Sequence, residues 1–264
     1  MPARVITITS GKGGVGKTTT TANLAIALAR CGHRVACLDA DIGLRNLDVV
    51  LGLENRIAYD LVDVVEGRAR LNQALIRDQR VPDLQLLPAA QSRDKTAVNE
   101  MQMVQLCSAL QNDFDFILID SPAGIEHGFR NALAPAHEAI IVTTPEVSAV
   151  RDADRIIGLI ESAQKPTPRL IINRLRPLMI RHGDMLDTPD VLEVLAIDLI
   201  GIVPEDEAIV VSTNRGSPVA LQEKGGASAA YMRIARRLLG EQIPFQSFDG
   251  TTSLLDRIAR LLGR

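Results

Sequence analysis

The 264-residue chain has no tryptophan, and aromatic residues of all kinds make up only 3% of it. So few rings leave little material for the stacked platforms on which single-stranded nucleic acids lie. There is no basic excess either. With 29 Lys and Arg against 32 Asp and Glu, the formal charge of −3 argues against a polyanion as the main ligand, although a local basic patch stays open. Cysteine is scarce and odd in number. Cys31, Cys37 and Cys107 lie in apolar stretches with no C-x-x-C pair, so they read as small buried hydrophobes in a reducing compartment. Residues 1–10 alternate like a strand and lack the apolar core and cleavage site of a secretory leader. No apolar run approaches the roughly 20 residues that span a bilayer, which leaves peripheral attachment open.

What is abundant is apolar side chain, at 46% of the residues, against 23% charged. Short β-branched runs recur between longer helical patterns: Val5–Thr9, Val35–Leu38, Phe116–Ile119, Ala139–Val142, Leu170–Ile172 and Leu199–Val203. Near-continuous apolar strands alternating with helices predict an α/β fold, a doubly wound and mostly parallel sheet of seven or eight strands covered on both sides. No Pro/Gly/Ser-rich break interrupts the pattern, so residues 1–240 read as one domain. Residues 241–252, with Pro244 and Gly250 and little periodicity, read as a linker, and 253–264 as a short terminal helix.

The strongest motif is Gly11-Lys12-Gly13-Gly14-Val15-Gly16-Lys17-Thr18, which follows the first strand and opens a helix over Thr19 to Ala29. That context makes it a phosphate-binding P-loop. Its glycines let backbone N–H groups turn inward, and the helix N-terminus adds the positive end of its dipole. Lys17 is expected on the β- and γ-phosphates of ATP and the Thr18 hydroxyl on Mg²⁺, with Thr19 next in the cradle. Phe116–Asp120 is an apolar strand ending in a carboxylate that suits Mg²⁺. Before it, Asp39 and Asp41 close the second strand, and strict alternation points the two to one side. A turn or capping carboxylate is the other reading of Asp39. Near the end of a late strand, Asn173 offers both a donor and an acceptor to an adenine edge.

A second lysine directly after the first glycine resembles the deviant Walker A motif of the ParA/MinD branch of P-loop ATPases. The resemblance implies that Lys12 crosses to the nucleotide of a second subunit in an ATP sandwich dimer, a cation delivered in trans to the γ-phosphate. A solvated lysine is the plain alternative. The resemblance further implies that Asp41 orients the attacking water, that Asp39 and Asp120 support the metal, and that Pro204, Glu205 and Asp206 frame the base with Asn173. Cluster-carrying relatives need a cysteine pair that this chain lacks. DNA-partition ATPases need a basic surface that its charge does not favour, and a small-molecule ligase or kinase on this fold would need an acceptor pocket.

Three stretches are similar to the MinD members of the family: Asp41-Ile42-Gly43-Leu44-Arg45-Asn46-Leu47-Asp48, Asp120-Ser121-Pro122-Ala123-Gly124-Ile125-Glu126, and Pro145 through Arg155. At 100° per residue, Leu254, Leu255, Ile258, Leu261 and Leu262 fall within an arc of about 120°, with Arg257, Arg260, Arg264 and Asp256 on the other side. A helix of this length cannot cross a membrane but suits the interface of an anionic one. Docking on the body, or on a partner, is the alternative. The resemblance implies an ATP-dependent homodimer on the cytoplasmic face of the bacterial inner membrane. It also implies recruitment of the division inhibitor MinC and release by MinE. Arg151, Asp152 and Asp154 are the candidate partner surface, or simply a solvated helix face.

Overall fold

The computed structural model describes residues 2–94, 96–223 and 225–246. The expected terminal helix, with Leu254, Leu255, Ile258, Leu261 and Leu262, lies outside the described residues. Eight strands form one sheet: β1 (Arg4–Thr9), β2 (Val35–Asp39), β3 (Ile76–Arg77), β4 (Leu84–Leu87), β5 (Phe116–Asp120), β6 (Glu138–Thr143), β7 (Arg169–Leu175) and β8 (Leu199–Pro204). Their order is β3-β4-β2-β5-β1-β6-β7-β8. Every pairing is parallel except β3 with β4. β3 and β4 carry no β-branched run that would announce them in the sequence. Leu84–Leu87 is a short edge-side strand interrupted by Gln85 and set between Pro82 and Pro88.

The strands are buried on both faces, as their apolar continuity requires. Ile6, Ile8, Leu118, Ile140 and Val142 face one layer, in which Lys17–Arg30 and Gly226–Leu238 pack together. Val5, Ile117 and Ile119 face Glu100–Leu110 on the other side. Ala139, Ile141 and Ile172 meet Val147–Ser162 and Thr188–Leu195 there. Alternation along each strand thus builds a three-layer sandwich. Because β1, β2 and β5 run the same way, their C-terminal ends open onto one edge, where open α/β sheets hold ligands.

After Leu238 the chain turns at Gly240 (φ 95°) and folds back on the helix it has just left. Arg237 Nε donates to the Ile243 carbonyl at 2.9 Å and Nη2 to the Pro244 carbonyl at 2.9 Å. Its guanidinium lies 4.1 Å from the Phe245 ring centroid. Arg233 Nη2 then donates to Gln246 Oε1 at 3.0 Å. The first half of the stretch that reads as linker is therefore held against the body. Among the described residues, no helix is long and apolar enough to cross a membrane.

Candidate active site

The loop Gly11–Thr18 joins β1 to the helix Lys17–Arg30 at the open edge of the sheet. Gly16 stands at the helix N-cap in the left-handed region (φ 97°), and no side chain caps the N-terminus. A side chain at position 16 would also run into the Asn173 amide. The first N–H groups of the helix are thus left for an anion. Beside them Lys17 is buried. Desolvation lowers its pKa, while the charges of Asp120 and Asp41 oppose that shift.

The carboxylates divide the remaining work. Asp120, at the end of β5, is buried and accepts from the Thr21 hydroxyl at 3.1 Å. It also takes a hydrogen bond from Thr18. Burial raises its pKa, opposed by the Thr18 bond and the Lys17 charge. Thr18 and Asp120 therefore present hard oxygen ligands beside Lys17, which fits Mg²⁺.

Asp39 sits directly across the strand register from Asp120. Its Oδ1 accepts from the Asp41 N–H at 2.9 Å, and its Oδ2 from those of Asn46 at 3.2 Å and Leu47 at 3.1 Å. Both oxygens are committed to pinning the loop after β2. These bonds make Asp39 the carboxylate that fixes this turn, while its place in the register keeps it beside Asp120. Burial, and then the nearby Asp120, raise the Asp39 pKa. Asp41 lies on the loop that Asp39 pins, and its charge is felt by both Lys17 and Asp120. It shares a small cavity wall with Pro122 and Ala123 of the loop after β5.

At the base end, Asn173 Nδ2 donates to the Val15 carbonyl at 2.8 Å. Its Oδ1 is buried with no partner among the described residues. An orphaned amide acceptor against the P-loop fits an adenine amine. Asp206 caps the next helix by accepting from Ala208 N–H at 2.9 Å. Glu205 pairs with Arg176 through Nη2 to Oε1 at 2.6 Å, and its N–H donates to the Leu175 carbonyl at 3.0 Å. With Pro204 they shape a loop whose carboxylates are already engaged. Glu205 and Arg176 line a cleft of about 560 Å³ that Arg174 and Glu146 also border.

Lys12 is exposed, and its Nζ donates to Ser148 Oγ at 3.2 Å and lies 3.7 Å from Glu146 Oε2. Both partners stand at the start of the helix Val147–Ser162 of the same chain. Sequence reading named Lys12 but not these partners, which lie more than 130 residues away. Gly11 is pressed against that helix too: a Cβ at position 11 would land inside the van der Waals shell of the Asp152 carbonyl. Arg151 and Asp154 point outward, and Asp152, half-buried by this contact, pairs with Arg155 at 3.7 Å. Thr21 also escaped the sequence reading. Its position one helical turn after Lys17 is the signal that could have found it.

Residues 6–219 match the profile of the CobQ/CobB/MinD/ParA nucleotide binding domain. The chain belongs to the MinD/ParA family. Within this family it is 56% identical over 261 residues to the septum site-determining protein MinD of Synechocystis, covering 98% of each. It is similar to MinD in the MinC:MinD cell division complex of Aquifex aeolicus, at 50% identity and a TM-score of 0.87, covering 93% of this chain and 99% of that one. It is also similar to Pyrococcus horikoshii MinD complexed with Mg-ADP, at 30% identity and a TM-score of 0.81, covering 91% and 100%. The eight-stranded sheet and the P-loop are thus those of a MinD/ParA nucleotide-binding domain.

Proposed function

We propose that the chain is a Mg²⁺-dependent ATPase of division-site selection, which pairs on binding ATP and blocks septum formation away from mid-cell by recruiting MinC. The observation that supports this most is the double-lysine P-loop on a chain that parallels MinD relatives over nearly its whole length. The existence of a solved MinC:MinD complex in a protein 50% identical to this one favours MinC as partner.

In this reading the helix N-terminus after Gly16 and the buried Lys17 bind the phosphates, and Thr18 with Asp120 hold Mg²⁺, supported by Asp39 opposite Asp120. The metal neutralises charge building on the transferred phosphoryl group. Asp39 fixes the loop from which Asp41 orients the attacking water, and Asn173 Oδ1 accepts from the base. Lys12, released from Ser148 and Glu146, reaches the γ-phosphate of the second copy.

The tail over 253–264 attaches the pair to the cytoplasmic face of the inner membrane. One short amphipathic helix binds lipid weakly, whereas two on one dimer gain roughly 10²-fold or more by effective concentration. Hydrolysis, stimulated by MinE, separates the copies and releases them. The test is co-sedimentation of intact and tail-deleted protein with anionic vesicles under ATP or ADP, beside a DNA shift assay. Binding that needs both ATP and the tail is expected. Vesicle binding indifferent to nucleotide, or an ATP-dependent DNA shift, would overturn the reading.

A further inference from the structure

The helix Gly226–Leu238 runs from the nucleotide edge of the sheet to the opposite edge. At its start Ala227 N–H donates to Asp206 Oδ2 at 3.3 Å, and at its end the Leu238 carbonyl accepts from Arg4 Nη1 at 2.8 Å. Arg233 and Arg237 lie one turn apart on this helix, so they stack on one face. Arg237 holds Ile243, Pro244 and Phe245, and Arg233, nearer the nucleotide edge, holds Gln246. The returning chain therefore climbs back along the helix toward the edge that carries the P-loop. Arg237 is itself fixed, because Nη1 donates to the Ile200 carbonyl at the start of β8 at 3.1 Å. Neither Arg233 nor Arg237 pairs with a carboxylate among the described residues, and the bonds they make go to the returning chain and to β8.

We propose that Arg237 and Arg233 form a guide that fixes both the free length and the heading of the C-terminal lipid-binding tail. The proposal rests on the reading that residues 253–264 bind lipid and that ATP pairs two copies across the P-loop edge. With the guide closed, six residues (247–252) separate Gln246 from the amphipathic stretch, and with it open twelve residues (241–252) follow Gly240. Effective concentration for the second tail falls roughly as the −3/2 power of tether length, so doubling the tether weakens two-tailed attachment about threefold. The heading acts in the same direction. In two copies joined at the P-loop edge, the described chain would reach Gln246 on its way toward that shared edge instead of away from it.

Arg237→Ala and Phe245→Ala test the guide in the full chain. Phe245 is half-exposed and outside the core, so its loss leaves the fold intact even where Arg237→Ala weakens it. In solution without vesicles, hydrogen exchange over 241–246 is expected to rise in both variants. On vesicles of equal parts phosphatidylglycerol and phosphatidylethanolamine, affinity is expected to fall about threefold with ATP and not at all with ADP. Six Gly/Ser residues inserted after Gln246 of the parent should reproduce that loss. Unchanged exchange, unchanged ATP-dependent affinity, or an equal loss with ADP each overturns the guide. If the parent itself ignores vesicles, it is the membrane reading that fails, and the guide falls with it.

Discussion

Lys12 Nζ donates to Ser148 Oγ across 3.2 Å within a single chain. The lysine that the family resemblance sends to a second subunit is thus occupied at home, yet lightly. Lys12 and Glu146 are both about half exposed at 3.7 Å, and such pairs are worth roughly 0–1 kcal/mol. On the proposed function, a γ-phosphate would have to displace only that weak hold. Lys12→Ala is expected to keep ATP affinity within about threefold, since Lys17 and the helix N-terminus carry the phosphates, and to lose the ATP-dependent dimer. Nucleotide titration with light scattering decides the matter. A dimer that persists in Lys12→Ala removes the lysine from the interface.

Through Asp120, stability and metal binding are expected to respond to pH in opposite senses. Its pKa in the fold lies above its ordinary 3.8, chiefly through burial. The folded chain therefore holds the proton at pH values where the unfolded chain has lost it, and this group's contribution falls as pH climbs above about 4 through the raised value. Asp120→Asn removes that loss. In nucleotide-free protein its melting temperature should exceed the parent's by a few degrees near pH 8, with the gap shrinking toward pH 5. Stabilisation by Mg-ADP should shrink in the variant at every pH, because the metal needs the carboxylate. A gap that is constant with pH would show that Asp120 does not titrate differently on folding.

Asn173 joins the base end to the phosphate end through the Val15 carbonyl. Asn173→Leu takes away both the brace and the orphaned acceptor. The expected result is a loss of about tenfold or more in ATP affinity, with discrimination between ATP and GTP reduced. Fluorescent-nucleotide competition reads both quantities. Weaker binding with discrimination intact would leave Asn173 as a brace alone.

The core strands were legible because burial on both faces leaves an unbroken β-branched record, as in Phe116–Ile119 and Ala139–Val142. The P-loop was legible because its chemistry is written in backbone spacing, which sequence preserves. The hold of Asp39 on the loop after β2 was not legible, for an identifiable reason. Alternation orients Asp39 and Asp41 alike only if the strand continues, but β2 ends at Asp39 and Asp41 already belongs to a turn. The hold on Lys12 and the fold-back at Arg237 were illegible for another reason. One joins elements far apart in the chain, and the other depends on backbone carbonyls, which any residue supplies.

The contact of Gly11 with the Asp152 carbonyl has a mechanical meaning. A glycine against a main-chain atom has no side chain that can rotate to absorb displacement. The loop that would grip the phosphates and the helix that shows Arg151 and Asp154 to the outside thus meet like a pawl on a ratchet tooth. A molecule that grasps the outer face of this helix would have its leverage one backbone contact from the P-loop.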